Sequence, residues 1–364
     1  MKNTHSMKLE RWLGIERIEE MSGLMRGWYG PPVPVAGVPG RVYACGDGDF
    51  CGPIKGGYFG SAVDFAVGRY RSAMRRATMR QRSQLNMGFT SLSDLISEAT
   101  TGGKGQDISF QKVSTTNTTA GNSFNHWNVG NWPLAGGTGG ASGTGRATTR
   151  ATSGGLMQAN AAGGDTLHFT TVTVQATVAS SMMFYDRLWD MTYNHATSTS
   201  TTVDTNNPPT RYQTAGTAPG NFFSSDIVTQ PVTAHNMTVT YRDQDFNTAE
   251  AGATWADSLG VAGRSDMLAG QWFMPLNTGD TGIRTVTIIA QSTTASVTGT
   301  TNWFIGHPYM LVPVPLANVP FIYDGINSAF GLQRVYDDAC ICMMMPAGPT
   351  GAITYTGTVR LVSG

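Results

Sequence analysis

The feature that most constrains this chain is the near absence of lysine and glutamate from its larger part. Lys112 is the last lysine, and Glu250 is the only glutamate after Glu98. These two residues normally cover the exposed faces of helices, whereas Thr, Ser, Asn and Gly disfavour helix and suit strands and turns. The sequence therefore predicts a mainly β fold after residue 100, with an uncharged polar surface.

Charge divides the chain at the same place. Residues 1–100 carry 13 Lys+Arg and 9 Asp+Glu, which gives a net charge of +4. Residues 101–364 carry the remaining 11 Lys+Arg and 15 Asp+Glu, which gives −4. Charged residues make up 13% of the 364 residues, where about a quarter is usual. Because like-charge repulsion keeps soluble proteins monomeric, we expect this chain to work inside a stable assembly.

The first hundred residues carry the helical patterns. Apolar residues at helical spacing predict helices over 6–26 and 61–82, separated by a Gly- and Pro-rich arm over 31–60. A further short helix is predicted to begin at Ser91, where Ser91 and Asp94 resemble a capping box. We interpret residues 1–100 as one helical N-terminal region.

The second half of the 61–82 helix is strongly basic and contains no acid. Its arginines are Arg69, Arg71, Arg75, Arg76, Arg80 and Arg82. Arginine is favoured at desolvated interfaces because its planar fork makes bidentate contacts. We interpret this face as a docking surface for a partner chain, with a solvated face as the alternative. Nucleic acid is disfavoured because no aromatic residues interleave and the net charge is zero.

Residues 101–164 are of low complexity and are dominated by Gly, Thr, Ser and Asn. A run such as 136–140 is not expected to form core structure. Aromatic residues nevertheless interrupt the stretch, among them Trp127 and Trp132. We predict long loops that lie over a neighbouring subunit, anchored by these two tryptophans; a flexible linker over 134–160 is the alternative.

Residues 165–364 alternate apolar residues with threonine in several short stretches, which indicates strands. The predicted strands cover 167–178, 237–241, 283–289, 303–305, 310–314 and 353–361. The apolar run 340–345 suits a strand buried on both faces, and 184–193 is predicted to be a helical turn between strands. Since helices do not alternate with these strands, we predict one antiparallel β-sandwich domain, jelly-roll-like, over 165–364.

No motif in the sequence carries recognisable chemistry. There is no nucleophile elbow, no phosphate-binding loop and no pair of histidines at metal-binding spacing. His168 and His307 are interpreted as structural residues. The cysteines, at 45, 51, 340 and 342, are not spaced as a zinc site. We therefore predict no enzyme activity, no cofactor and no metal; residues 1–20 are too polar for a secretory signal, and no apolar window long enough to span a membrane exists.

Several short motifs follow one another in the β part. They are Tyr185–Trp189, Pro275–Leu276, Gly279–Val286, Asp338–Cys340 and the Thr/Gly-rich stretch 351–361. Their order resembles virion structural proteins of tailed bacteriophages, over about residues 165–364. Read from the residues alone, Gly279–Gly282 is a turn before a strand, and Asp186 and Arg187 are predicted to form a corner salt bridge.

The resemblance implies a component of the virion and brings no catalytic residues with it. We predict a capsid-associated or decoration protein that forms a symmetric oligomer, expected to be a trimer. Its partners would be copies of itself and other virion proteins such as the major capsid protein, without nucleic acid or membrane. The alternatives are a neck, tail or fibre component, the major capsid protein itself, or a host-glycan-binding protein in which Trp127, Trp132 or Trp303 stacks on sugars.

Overall fold

The computed structural model describes residue 89 and residues 91–114, 120–203, 208–213, 218–247, 250–256, 263–265, 271–292, 298–326 and 331–364. The chain divides into two compact units, Met1–Arg80 and Gln81–Gly364, and all of these residues belong to the second. The helices predicted over 6–26 and 61–82 and the arm predicted over 31–60 lie outside the described residues.

The described part begins with one α-helix, α1, which spans Leu92–Thr100. Its N-cap is Ser91, whose hydroxyl accepts a hydrogen bond from the backbone N–H of Asp94 at 3.0 Å. This satisfies one of the N–H groups that a helix leaves unpaired at its start, and it confirms the predicted beginning. Leu95 packs with Phe89 and Val362 in a small apolar cluster that attaches the helix to the C-terminal strand.

The rest of the regular structure is β, apart from single 3-10 turns at His126–Asn128 and Thr210–Tyr212. The first nine strands are β1 Gly105–Val113, β2 Phe124–Asn125, β3 Asn131–Trp132, β4 Arg146–Ala147, β5 Leu167–Ala176, β6 Ser180–Asn194, β7 Ser200–Thr202, β8 Phe222–Thr229 and β9 Asn236–Asp243. The others are β10 Glu250–Ala251, β11 Trp255–Ala256, β12 Ile283–Gln291, β13 Thr300–Val314, β14 Phe321–Asp324, β15 Gln333–Val335, β16 Ile341–Met345 and β17 Thr354–Ser363.

These strands form three sheets, and every pairing between the named strands is antiparallel. Sheet I has the order β14-β5-β17-β1-β3, with β15 also paired to β5. Sheet II has the order β2-β16-β6-β13-β8, with β4 also paired to β6, and sheet III has the order β10-β9-β12-β7, with β11 also paired to β9. The fold is therefore mainly β and an antiparallel sandwich, as predicted; a jelly-roll connection order stays a prediction.

The long strands β6 and β13 of sheet II connect two apolar cores. One end packs against sheet I, where Phe184 and Val312 meet Phe169 in the larger core. The other end packs against sheet III, where Trp189 and Trp303 meet residues of β9 and β12. Each core is a layer between two sheets, as expected for sandwich packing.

A bulge at Leu188 allows one strand to serve both cores. Ile305 lies opposite Trp189 and Gly306 lies opposite Arg187, so Leu188 is an extra residue in β6. An extra residue shifts the alternation of side chains by one position, and Trp189 therefore continues the face on which Phe184 lies. Sheets I and III thus cover successive stretches of the same face of sheet II.

The predicted helical turn over 184–193 is wrong, because these residues lie inside β6. Their apolar spacing resembled a helix since the segment is buried on both faces and interrupted by a bulge. The predicted salt bridge between Asp186 and Arg187 is wrong for a related reason. Neighbouring side chains of a strand point to opposite faces, and each of the two residues pairs with other residues of the chain.

The expectation of loops throughout 101–164 is wrong for Gly105–Val113, which forms β1 and pairs with β17 along its whole length. The local composition is polar, but β17 supplies a template on one side and β3 pairs on the other. Most other strand predictions are confirmed: 167–178, 237–241, 283–289 and 353–361 fall on β5, β9, β12 and β17. The stretches 303–305 and 310–314 belong to one strand, β13, and all five residues of β16 are buried.

Candidate interaction surface

Several acidic and histidine side chains of the described residues make contacts within the protein. Within these ranges, no group of three or more His, Cys, Asp or Glu side chains is placed to bind a metal ion. A membrane-crossing helix is likewise not found in the part of the chain that the structure describes. His168 and His307 each make a hydrogen bond, to the Thr166 carbonyl and the Asn221 side chain. Cys340 and Cys342 are buried thiols whose sulfurs are 3.8 Å apart.

Arg187 is the centre of a fully buried charge cluster on the face of sheet II that points away from sheets I and III. Its Nε lies 3.0 Å from Asp190 Oδ2 and its Nη1 lies 2.9 Å from Asp226 Oδ1. The guanidinium also lies 4.2 Å from the centre of the Trp127 ring and 4.3 Å from that of the Phe304 ring. Burial alone would lower the pKa of Arg187, but the two carboxylates raise it above its ordinary value.

The Gly-rich stretch is bonded onto this cluster. Asp190 Oδ1 accepts hydrogen bonds from Arg146 Nε at 2.8 Å and from the backbone N–H of Gly140 at 3.0 Å. The Asn302 side chain accepts from Gly139 N–H at 2.7 Å and donates to the Gly137 carbonyl at 3.0 Å. Glycine is needed at Gly145, because a Cβ there would overlap the Trp189 ring, and at Gly140, because a Cβ there would overlap the backbone of Gly145 and Arg146. Residues 137–146 therefore form a packed layer over sheet II.

A second polar cluster surrounds Asp186 on the opposite face. Arg211 makes a bidentate pair with its carboxylate, at 2.6 and 2.8 Å. The Tyr212 hydroxyl donates to the same carboxylate at 2.9 Å, and the Cys340 N–H donates at 2.8 Å. The Tyr212 ring stacks on His307 with centres 3.9 Å apart, and burial lowers the pKa of His307 to about 4. These contacts attach residues 211 and 212 to sheet II.

The structure separates the predicted interface residues. Trp127 has none of its surface exposed and is covered by this chain itself, whereas Trp132 is 54% exposed. Trp303, considered above for sugar stacking, is also fully buried. The six predicted arginines, Arg69, Arg71, Arg75, Arg76, Arg80 and Arg82, lie outside the described residues. Trp132 is thus the one of the two predicted tryptophans that can reach a partner.

An exposed apolar segment that the sequence reasoning missed joins sheet II to sheet I. It follows β13 and comprises residues 315–322, which we call the rim segment. Leu316 is 60% exposed, Val319 is 46% exposed and Ile322 is 66% exposed. No charged residue occurs from 308 to 323. Single exposed apolar residues are ordinary, but three of them in one uncharged segment make it a candidate interaction surface. The signal was present in the sequence as an apolar run that continued beyond the predicted strand 310–314.

The rim segment is held in one conformation. Pro315 and Pro320 restrict the backbone, and Asn318 adopts a left-handed conformation with φ of 59°. The N–H of Asn318 donates to the Ala176 carbonyl at 2.7 Å. Because proline removes a backbone donor, positions 315 and 320 cannot donate a hydrogen bond to a further strand.

Comparison with known proteins gives little further information. No protein-family model and no curated protein matches the chain. Among solved structures, the chain aligns with the VP2 subviral particle of infectious bursal disease virus at 11% identity, covering 77% of this chain and 85% of that chain with a TM-score of 0.17. The Gx strain of the same virus aligns at 8% identity, covering 71% and 81% with a TM-score of 0.16. Such low TM-scores do not establish a common fold, and no function is transferred to this chain from these structures.

Proposed function

We propose that this protein is a structural subunit of a virus particle, and more specifically a capsid-associated or decoration protein of a tailed bacteriophage. The observation that carries the proposal is the rigid, uncharged rim segment 315–322. The charge-poor composition and the sequence resemblance over 165–364 support it. The protein would form a symmetric oligomer, expected to be a trimer, and would contact other virion proteins such as the major capsid protein.

The size of the rim favours a closed ring of subunits over a single pairwise contact. Leu316, Val319 and Ile322 together expose roughly 300 Å² of apolar surface, which at about 25 cal/mol per Å² gives roughly 7 kcal/mol when it is fully buried. Association costs about 4–15 kcal/mol in lost freedom. One rim contact would therefore give weak binding. In a closed ring, each subunit contacts two neighbours and must lose both contacts to leave.

The arginines predicted on the 61–82 helix would complement this arrangement. Residues 1–100 carry a net +4 and residues 101–364 a net −4. We infer that Arg69, Arg71, Arg75, Arg76, Arg80 and Arg82 dock on the acidic β part of a neighbouring subunit, while exposed Trp132 adds an aromatic contact. Such charge contacts are screened by salt, so the oligomer should dissociate more readily at high ionic strength.

The experiment compares the oligomeric state of wild type with that of a rim variant, using light scattering coupled to size-exclusion chromatography. The rim variant is Leu316→Ser with Ile322→Thr, where threonine keeps the strand preference of β14. The control is Leu134→Ser, which alters a side chain of similar exposure, 68%, outside the rim. We expect an oligomer for wild type and control, and a folded monomer for the rim variant, with a melting temperature no higher than that of wild type because the stabilisation by association is lost.

Quantitative mass spectrometry of purified particles tests the location. Hundreds of copies per particle are expected for a decoration or shell protein, whereas a dozen or fewer would assign the chain to the neck, tail or fibres. A stable wild-type monomer that is absent from particles would overturn the proposal as a whole.

A further inference from the structure

A groove of small-ligand size lies at the start of β8, where the chain segments 271–281 and 306–308 meet it. Its volume is about 360 Å³, which is within the range of pockets that bind small molecules. One wall is apolar and is formed by Phe222, Trp272, Phe273 and Pro308. The other wall carries polar groups, chiefly those of Asn221 and Asp280.

The aromatic wall is built before any ligand arrives. The Trp272 ring packs edge-on against Phe222 at 5.1 Å and against Phe273 at 4.6 Å, measured between ring centres. The backbone of this segment is fixed to β8, because the Ser224 hydroxyl donates to the Trp272 carbonyl at 2.6 Å and Met274 N–H donates to the Phe223 carbonyl at 2.8 Å. Phe273 is nevertheless 42% exposed. An exposed aromatic ring held this firmly is unusual unless it contacts something.

The polar wall is also held in place and offers both kinds of hydrogen-bonding group. Tyr241 fixes two of its members: its hydroxyl donates to the Asp280 carboxylate and accepts from the Asn277 backbone N–H at 2.8 Å. The side-chain oxygen of Asn221 accepts a hydrogen bond from His307 Nδ1 at 2.8 Å. Within the described part of the chain, the amide nitrogen of Asn221 has no such partner, although the residue is only 4% exposed. Asn221 thus presents a donor, and Asp280 an acceptor.

The chemistry of these walls selects among ligand classes. A phosphate or sulfate is disfavoured because the groove holds a carboxylate and, among the described residues, its lining includes no lysine or arginine. An ammonium group would suit the aromatic rings and Asp280, but it offers no acceptor to the amide of Asn221. A sugar ring satisfies all three features, since its C–H face packs on an aromatic ring and its hydroxyls both donate and accept.

We propose that this groove binds one uncharged pyranose unit of a glycan. Phe273 and Trp272 supply the stacking face, Asp280 accepts from a sugar hydroxyl and Asn221 donates to a neighbouring hydroxyl. The site is independent of the rim segment, so a glycan site and an assembly role can coexist in one protein. A single sugar unit fills such a shallow site with few contacts, and a dissociation constant of about 1 mM is expected; several copies in one oligomer would raise the apparent affinity.

The test is saturation-transfer NMR on the full-length protein, with the methyl glycosides of glucose, galactose, mannose and N-acetylglucosamine as probes and choline as the cationic comparison. We expect transfer to the ring C–H protons of at least one glycoside. Phe273→Ala and Asp280→Asn should each weaken that binding by tenfold or more, while Leu134→Ala, outside the groove, should not change it.

Thermal unfolding of each variant shows whether the protein remains folded under these conditions. Binding of choline in place of the sugars, or glycoside binding that survives both groove variants, would overturn the proposal, as would the absence of transfer from all four glycosides at 20 mM. The result is separate from the assembly proposal, because the groove variants are expected to keep the oligomeric state of wild type.

Discussion

Replacing the buried Arg187 tests whether the charge cluster holds the Gly-rich layer on sheet II. Arg187→Met keeps most of the side-chain volume but removes the positive charge that faces Asp190 and Asp226, all of them fully buried. Asp190 would retain Arg146, and Asp226 would retain, among the described residues, the side-chain amides of Asn128 and Asn302.

The expected cost follows from the charge that is left without a partner. Burial raises the pKa of Asp226, and Arg187 opposes this shift, so replacing Arg187 removes the contact that most favours the ionised carboxylate. Breaking a buried ion pair from one side costs about 3–5 kcal/mol. Domains are stable by about 5–15 kcal/mol in total, and a loss of this size lowers the melting temperature by roughly 10 °C in a unit of this length.

Differential scanning calorimetry at pH 7 measures the effect, and the exposed pair of Arg150 and Asp338 supplies the matched control. Those two side chains are 42% and 56% exposed, and Arg150→Met is expected to cost less than about 1 kcal/mol. The double variant Arg187→Met with Asp226→Asn should recover part of the loss, because it removes the unpaired charge.

Hydrogen exchange gives the local readout. In Arg187→Met the amides of residues 137–146 should exchange faster, since Asp190 and Asn302 accept their hydrogen bonds. The reasoning is refuted if Arg187→Met melts within about 2 °C of Arg150→Met, or if the 137–146 amides stay as protected as in wild type.

Three further predictions concern pH and backbone conformation. Lys112 is buried, which lowers its pKa to about 8 from 10.5. Between these two values the unfolded chain binds more protons than the folded chain, so the free energy of unfolding should rise by about 1 kcal/mol from pH 7 to 9. Urea titrations should show this rise for wild type and not for Lys112→Met. Burial lowers the pKa of His168 and of His307 to about 4 from 6.5. As the pH falls, these histidines bind protons in the unfolded chain before they do so in the folded chain, so the free energy of unfolding should fall from pH 6.5 to pH 4. The fall should be less steep in His307→Gln. Gly145 has a positive φ of 64°, and a Cβ there would overlap an indole ring; Gly145→Ala should therefore lower the free energy of unfolding by about 3 kcal/mol. Gly143 has a φ of 85°, but a Cβ there would meet no atom nearer than 3.5 Å. Gly143→Ala should therefore lower it by only about 1 kcal/mol, and thermal unfolding measures both.

Prediction from sequence succeeded where one local signal was enough. Alternating threonine and apolar residues located β5, β9, β12 and β17, and an unbroken apolar run located the doubly buried β16. Ser91 and Asp94 located the start of α1. In each of these cases the local preference of the chain agrees with its tertiary environment, which is why the pattern could be read directly.

Prediction failed where distant residues decide the structure. Arg187 and Asp186 are neighbours in sequence, but the strand directs one toward Asp226 and the other toward Arg211. The sequence predicts loops on a neighbouring subunit over 101–164, with a flexible linker over 134–160 as the alternative, because glycine has no side chain to indicate burial. Trp127, Trp189 and Asn302 of the same chain nevertheless contact the backbone of 137–146. No local pattern contains those partners.

The sequence by itself determined that the larger part of this chain is β-structured and poor in charge. This follows because lysine and glutamate are missing there, and the residues that replace them favour strands and turns. The sequence did not reveal the role of the last lysine. Lys112 is buried and donates to the carbonyls of Val129 and Pro133, at 3.0 and 2.6 Å, instead of covering the surface. Only the tertiary structure decided which aromatic rings and which apolar segment are exposed and which acids are paired, because burial depends on residues that are far apart in sequence.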